Sequence, residues 1–242
     1  MPLDLAHFVT LDRYDAMDRV GAEVSHLISH INDGQFDDWR ADLHAQFVDD
    51  DTGVGGYVTA PAARAEQTQR IGDIEVGLLY MPELAPEHLS AVLHAGLGLP
   101  TSGTGNTVVP QVMDTRLADT VLGIPAATTI RAGGSLIWTD EPFFARGDLA
   151  LDANVDANAR PTVDPIVRTG AGLGVIAGAA ALMGEVEMLA GGDFSPVAAT
   201  GALSVRLDAG PLQVYGAYVF GLDHTTRTDM SDAFILGTDV PL

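Results

Sequence analysis

The ten residues from Trp39 to Val48 read W-R-A-D-L-H-A-Q-F-V. Trp39, Ala41, Leu43, Ala45 and Phe47 are apolar, and Arg40, Asp42, His44 and Gln46 stand between them. The period is strictly 2, which marks a strand with one greasy face and one wet face. The same alternation recurs around residues 20–28, 74–80, 89–97, 130–138, 143–155, 167–175, 182–188, 203–207, 212–220 and 234–236. A short Gly-rich stretch at 54–60 completes a set of twelve predicted strands.

The connections take turns in length. D-D-D-T-G (49–53), P-E-L-A-P-E (82–87), T-D-E-P (139–142), G-A-A (178–180) and D-A-G-P (208–211) have tight-turn compositions. Between them fall stretches read as longer loops, at 31–38, 61–70, 100–125, 154–164, 191–196 and 223–232. In a meander every second connection lies at the same end, so one end is trimmed and the other carries loops. An even number of antiparallel strands in this layout predicts an all-β fold, a transmembrane antiparallel meander β-barrel of about twelve strands.

The aromatic residues point the same way. With strands running alternately up and down, Phe47, Tyr80, Trp138 and Phe143 fall near the short-turn end. Trp39, Tyr218, Phe220 and Phe234 fall near the loop end. All eight share the apolar parity and form two expected lipid-interface girdles. The Trp39 face is therefore expected to meet hydrocarbon and the Arg40 face a polar lumen.

Composition narrows the function classes. The 242 residues carry 33 acidic and 12 basic side chains, a formal charge of −21, and every basic residue is Arg. Such a charge argues against nucleic acid as a partner. With no Cys, disulfides, thiolate metal sites and Cys nucleophiles are excluded. The longest apolar run, 171–183, is too short and too rich in Gly for a membrane helix. The start, M-P-L-D-L-A-H-F, lacks a signal peptide's basic and apolar regions, so such a peptide is expected to have been removed. Residues 1–16 are read as an N-terminal extension and 17–242 as one barrel domain.

Two stretches, G-D-I-E-V-G-L-L-Y (72–80) and L-S-A-V-L-H-A-G-L-G-L-P-T (89–101), resemble a recurring pair in proteobacterial outer-membrane barrels of the transporter-like type. These include relatives of the meta-pathway phenol-degradation transporter family. A-R-G-D-L-A-L-D (145–152) resembles a further hairpin of the group. The resemblance implies a barrel that passes small, often apolar, compounds and has no catalytic residues. It departs at the C-terminus, D-V-P-L, where such barrels usually carry an aromatic residue.

Several chemical motifs have blander readings. G-A-G-L-G-V-I-A-G (170–178) contains G-x-G-x-x-A, but strand alternation continues on both sides where a dinucleotide loop needs a helix. It reads as a strand made of Gly because a close neighbour or strong curvature leaves no room. G-L-P-T-S-G-T-G (98–105) lacks the Lys of a phosphate loop. It opens the longest connection, 100–125, which is read as a solvated external loop in preference to a constriction folded into the mouth. D-A-N-V-D-A-N (152–158) resembles the front of a calcium loop, but Ala157 and Val163 replace its Gly and bidentate acid, which favours a turn. His26 and His30 share the apolar parity of their strand and are placed near its upper rim.

The lumen-lining candidates are the wet-parity residues Arg40, Asp42, His44, Asp73, Glu75, His94, Arg131, Arg146, Asp148, Asp152, Arg168, Glu185, Glu187 and Arg206. They line a conduit and set its selectivity, or they pair across strands and fill a narrow lumen, which is the favoured of the two. The expected protein is a passive bacterial outer-membrane channel. Its partners are outer-membrane lipid and a small-molecule solute, with no nucleic acid, cofactor, metal or catalytic residue. The alternatives are a non-conducting barrel presenting acidic loops, an outer-membrane enzyme at the loop rim, and a soluble acidic β-protein binding a ligand.

Overall fold

The computed structural model describes residues 6–15, 17–31, 34–65, 68–84, 88–102, 115–124, 127–156, 163–191 and 194–242. In chain order the strands are β1 (Arg19–Ile31), β2 (Gly34–Val48), β3 (Val54–Ala65), β4 (Thr68–Ile71), β5 (Ile74–Tyr80), β6 (Leu89–Leu99) and β7 (Ala127–Asp140). They continue with β8 (Phe143–Asp156), β9 (Val163–Ala177), β10 (Ala180–Gly191), β11 (Phe194–Asp208), β12 (Gln213–Gly221) and β13 (Met230–Pro241). A 3-10 turn (Leu117–Gly123) precedes β7, and the six-residue α1 (His224–Asp229) precedes β13.

Each strand pairs antiparallel with its neighbours, and β13 returns to β1, with Arg19 opposite Pro241 and Val24 opposite Leu236. β3 joins β2 to β5, so twelve strands close into one barrel. The thirteenth, β4, is a four-residue strand hydrogen-bonded to β3. Closure leaves no edge among the twelve, as a structure in hydrocarbon requires.

The strand parity sets what faces each solvent. On β2, Asp38, Arg40, Asp42, His44 and Gln46 are buried inside, while Trp39, Leu43 and Phe47 face out. Around the ring Val20, Val24, Leu78, Leu93, Leu97, Leu136, Leu149, Leu173, Leu203 and Leu236 are exposed on the outer face. A surface this apolar, wrapped continuously around the barrel, suits lipid better than water. Trp39, Phe47, Tyr80, Trp138, Phe143, Tyr218 and Phe234 lie on that face, and Phe220 packs 5.9 Å from Tyr218. His26 is half-buried at the loop end, its ring 4.4 Å from that of Trp39; the side chain of His30 lies outside the described residues.

The short turns follow their chemistry. Gly53, Gly178 and Gly210 adopt φ of +65°, +66° and +85°, which Gly reaches at no steric cost. At the loop end three expectations are corrected. The stretch 61–70 is largely strand: β3 runs on through Pro61 to Ala65, and Thr68–Ile71 folds back as β4. Pro61 is tolerated because β3 changes partner there, from β5 (last pair Thr59–Glu75) to β4 (first pair Ala62–Ile71). The connections at 31–38 and 191–196 are also mostly strand, since β2 starts at Gly34 and β11 at Phe194.

The largest correction concerns the long connection. Its final part, Thr115–Gly123, is buried inside the barrel, with Val121 and Leu122 fully enclosed. Its apolar residues explain the inward fold: Leu117, Val121 and Leu122 pack against Ala63, Ile166 and Leu189 of the inner wall. The interior also holds residues 6–15, where Phe8, Val9 and Leu11 pack on Leu27, Phe144, Ala181, Met183 and Tyr215.

Candidate functional site

The candidate site is the lumen. Among the described residues eight Arg are buried inside the barrel: Arg13, Arg19, Arg40, Arg116, Arg131, Arg146, Arg168 and Arg206. Burying a guanidinium is costly unless it is paired and hydrogen-bonded. Arg131 donates to Glu75 at 2.5 Å and to Asp152 at 3.3 Å, and also to the Ala118 carbonyl. Arg168 donates to the other Asp152 oxygen at 2.7 Å, and lies 3.8 Å from Glu187. Arg146 donates to Asp148 and to the Ser135 hydroxyl, both at 2.7 Å. Arg40 lies 2.8 Å from Asp42, and Arg206 donates to Asp239 at 2.9 Å. His44 meets Asp239 at 2.8 Å and Arg13 at 3.0 Å.

All fourteen sequence-derived candidates are buried. Asp73 differs from the rest in place. It sits where the chain breaks between β4 and β5, accepting from the Ser102 backbone N–H at 2.9 Å. Its own N–H donates to the Leu122 carbonyl at 2.9 Å, tying the long connection to the rim. Asp152 and Asn154, the front of the calcium-like stretch, are occupied by Arg131, Arg168 and Thr129. Ala157 and Asn158 of that stretch lie outside the described residues. Among the described residues no three His, Asp or Glu converge as a metal site.

The N-terminal segment is the feature that sequence reading missed. β1 begins at the short-turn end, so residues 6–15 occupy the lumen from that end. They rise to mid-barrel and double back, with His7 Nδ1 and Asp15 Oδ2 2.5 Å apart at the base. At the top of the bend Glu185 accepts from the backbone N–H of Val9 (3.1 Å), Thr10 (2.6 Å) and Leu11 (3.3 Å), and from the Thr10 hydroxyl (2.8 Å). Asp12 N–H donates to Asp148 at 3.1 Å, and Arg168 donates to the Asp12 carboxylate at 2.7 Å. His94 approaches that carboxylate at 3.3 Å and stacks on Tyr14 at 4.6 Å. Arg13 reaches Asp42 at 2.8 Å and Glu23 at 3.2 Å, and Tyr14 donates to Glu75 at 3.2 Å. Gln46 donates to the Asp15 carboxylate at 2.8 Å.

The glycines of β9 fit this segment. A Cβ at Gly172 would overlap the Phe8 ring, and one at Gly170 would lie 2.7 Å from a Leu11 methyl carbon. The G-x-G pattern therefore marks the seat of a second piece of chain.

From the loop end the segment 115–124 descends to meet it. Arg116 donates to the carbonyls of Val9 and of Leu11, the latter at 2.9 Å. Asp119 lies 2.6 Å from Arg40 on the wall and 3.5 Å from Arg13 on the N-terminal segment. Two stoppers, one from each mouth, thus touch at mid-barrel.

No known protein-family model and no curated protein matches the chain. Solved structures share its architecture. One is an outer-membrane channel from Pseudomonas putida F1, with TM-score 0.64 and 8% identity over 95% of this chain and 97% of that one. The NanC porin gives TM-score 0.60 with 10% identity over 92% of this chain and all of that one. The KdgM porin gives TM-score 0.55 with 9% identity over 92% of this chain and 99% of that one. At such identities the likeness is one of fold: the chain has the fold of outer-membrane β-barrels.

Proposed function

We propose that this protein is a passive outer-membrane channel for a small solute, with its lumen closed at rest by two internal segments. The observation that carries the reading is the wall: a fixed polar lining of both charge signs, inside a closed barrel whose outer face is apolar. Such a lining holds water and orders charge along a route without covalent chemistry. The resemblance at 72–101 and 145–152 adds the solute class, a small and often apolar compound. The lumen residues named above act as selectivity groups, and the eight outer aromatics as interface anchors.

The filled interior favours a second reading, a non-conducting barrel that displays its loops. One experiment separates the two. The purified protein is refolded in micelles, checked by the mobility of unboiled against boiled samples, and inserted in planar bilayers. The channel reading expects discrete conductance steps. Folded protein that stays silent across salt, voltage and release of the segments favours the structural barrel.

A further inference from the structure

We propose that the two internal segments form one coupled gate, in which the long connection latches the N-terminal stopper through Arg116 and Asp119. The inference rests on the channel reading and says how that channel opens.

The stopper is built as a separable unit. Much of its hold on the wall runs through polar groups: three backbone N–H donors converge on Glu185, one on Asp148, and Arg168 grips Asp12. Such bonds exchange for water with little net change once solvent enters. The chain between the stopper and β1 is the short stretch 16–18, so the stopper leaves as a tethered piece while the ring of strands stays closed. Its apolar seat against the β9 glycines and Phe144 fixes where it returns.

The latch lies at the contact of the two segments. Arg116 donates to two carbonyls of the stopper, at Val9 and Leu11. Asp119 sits among Arg13 of the stopper, Arg40 and Arg131 of the wall, and Arg116 of its own segment. Withdrawing the stopper takes two carbonyl acceptors from the buried Arg116 and one of the four cations around Asp119, and withdrawing the connection takes the shared donor from the Val9 and Leu11 carbonyls. The two departures are therefore cooperative: moving one makes moving the other easier.

The test uses the absence of native Cys. A full-length L11C/G170C variant places a thiol at each side of the stopper's seat, and single-channel recording compares oxidised with reduced protein. We expect oxidation to cut open probability at least tenfold and reduction to restore it. R116A alone is expected to raise open probability several-fold, and to have no effect when combined with the oxidised pair. Heat-modifiable mobility confirms that every variant folds. If the native chain conducts and oxidation changes nothing, the stopper is not the gate. If R116A opens the oxidised pair, the segments act separately and the coupling is overturned. If no variant conducts in any state, the channel reading falls and takes the gate with it.

Discussion

At the scale of single residues, Glu185 gathers more hydrogen bonds from the stopper than any other wall residue described above. Its two oxygens accept four hydrogen bonds from Val9, Thr10 and Leu11, and Ser204 adds a fifth from the wall. In E185A those donors lose a shared acceptor, at a cost of roughly 1–3 kcal/mol for each one left buried and unpaired. The expected outcome is release of residues 6–15 with the barrel intact. Limited proteolysis in micelles should cut the N-terminal segment much faster than in the native chain, with the unboiled mobility unchanged. E185Q retains an acceptor and is expected to fall between the two. A segment equally resistant in all three proteins would show that the apolar seat alone holds it. Glu185 was legible in the sequence as a wet-parity side chain; its partners on the stopper were not. They lie 174–176 residues away in the chain, and no periodicity links them.

At the scale of elements, the strands were legible because a barrel wall between two solvents imposes period 2 on nearly every strand. The β2 stretch carries the rule openly. β3 hid its second half because Pro61 and the small residues after it read as a loop, and only the change of partner at that point makes room for them. The stoppers obey no period, since each residue is buried by whichever wall group stands opposite. β9 did carry a signal. Its glycines at inward positions 170, 172 and 174 announce that other atoms fill the space, without saying which. That complementarity can be tested by exchange of volume. G172A puts a methyl group into the Phe8 ring, and overpacking of this kind costs about 1–3 kcal/mol. The single variant should show a lower temperature for the loss of heat-modifiable mobility. F8A in the same chain should recover most of that loss, because the ring and the methyl compete for one volume. Additive losses in the double variant would mean that Phe8 is not what the glycine accommodates.

At the scale of the whole molecule, acid should loosen the stoppers before it disrupts the barrel. Burial pushes the Asp119 carboxyl up, but the guanidinium groups of Arg40, Arg13, Arg116 and Arg131 outweigh it and hold it below the usual range. Asp15 is lowered in the same way: burial opposes, and Arg19 and His7 prevail. Both groups bind fewer protons folded than unfolded. Their contribution is therefore complete above the ordinary carboxyl value of about 3.9 and is lost as pH falls through the folded values. His7 adds an earlier step. Burial, helped by Arg19, lowers its pKa despite Asp15, so the stability that it contributes as a neutral ring starts to fade below about pH 6.5. Proteolytic release of residues 6–15 should rise modestly from pH 7 to 5 and steeply below 4. A flat profile over that range would remove these three groups from the anchoring of the stopper.

The same charges fix which ions an open lumen should favour. Among the described residues the wall and rim bury six arginines and ten carboxylates, with the histidines counted as neutral. The stoppers add Arg13 and Arg116 against Asp12, Asp15 and Asp119, so the excess is negative whether they are in or out. A water-filled path of low-dielectric walls focuses that excess and concentrates cations. In a salt gradient across a bilayer the reversal potential should therefore take the sign for potassium over chloride. The preference should weaken at high ionic strength, where the Debye length falls to about 3 Å at 1 M. E23Q removes one carboxylate whose cations, Arg13 and Arg116, both belong to the stoppers. It should shift the reversal potential toward zero without closing the channel. An anion preference in the native chain would mean that the conducting path runs along the arginines and bypasses the carboxylates that outnumber them.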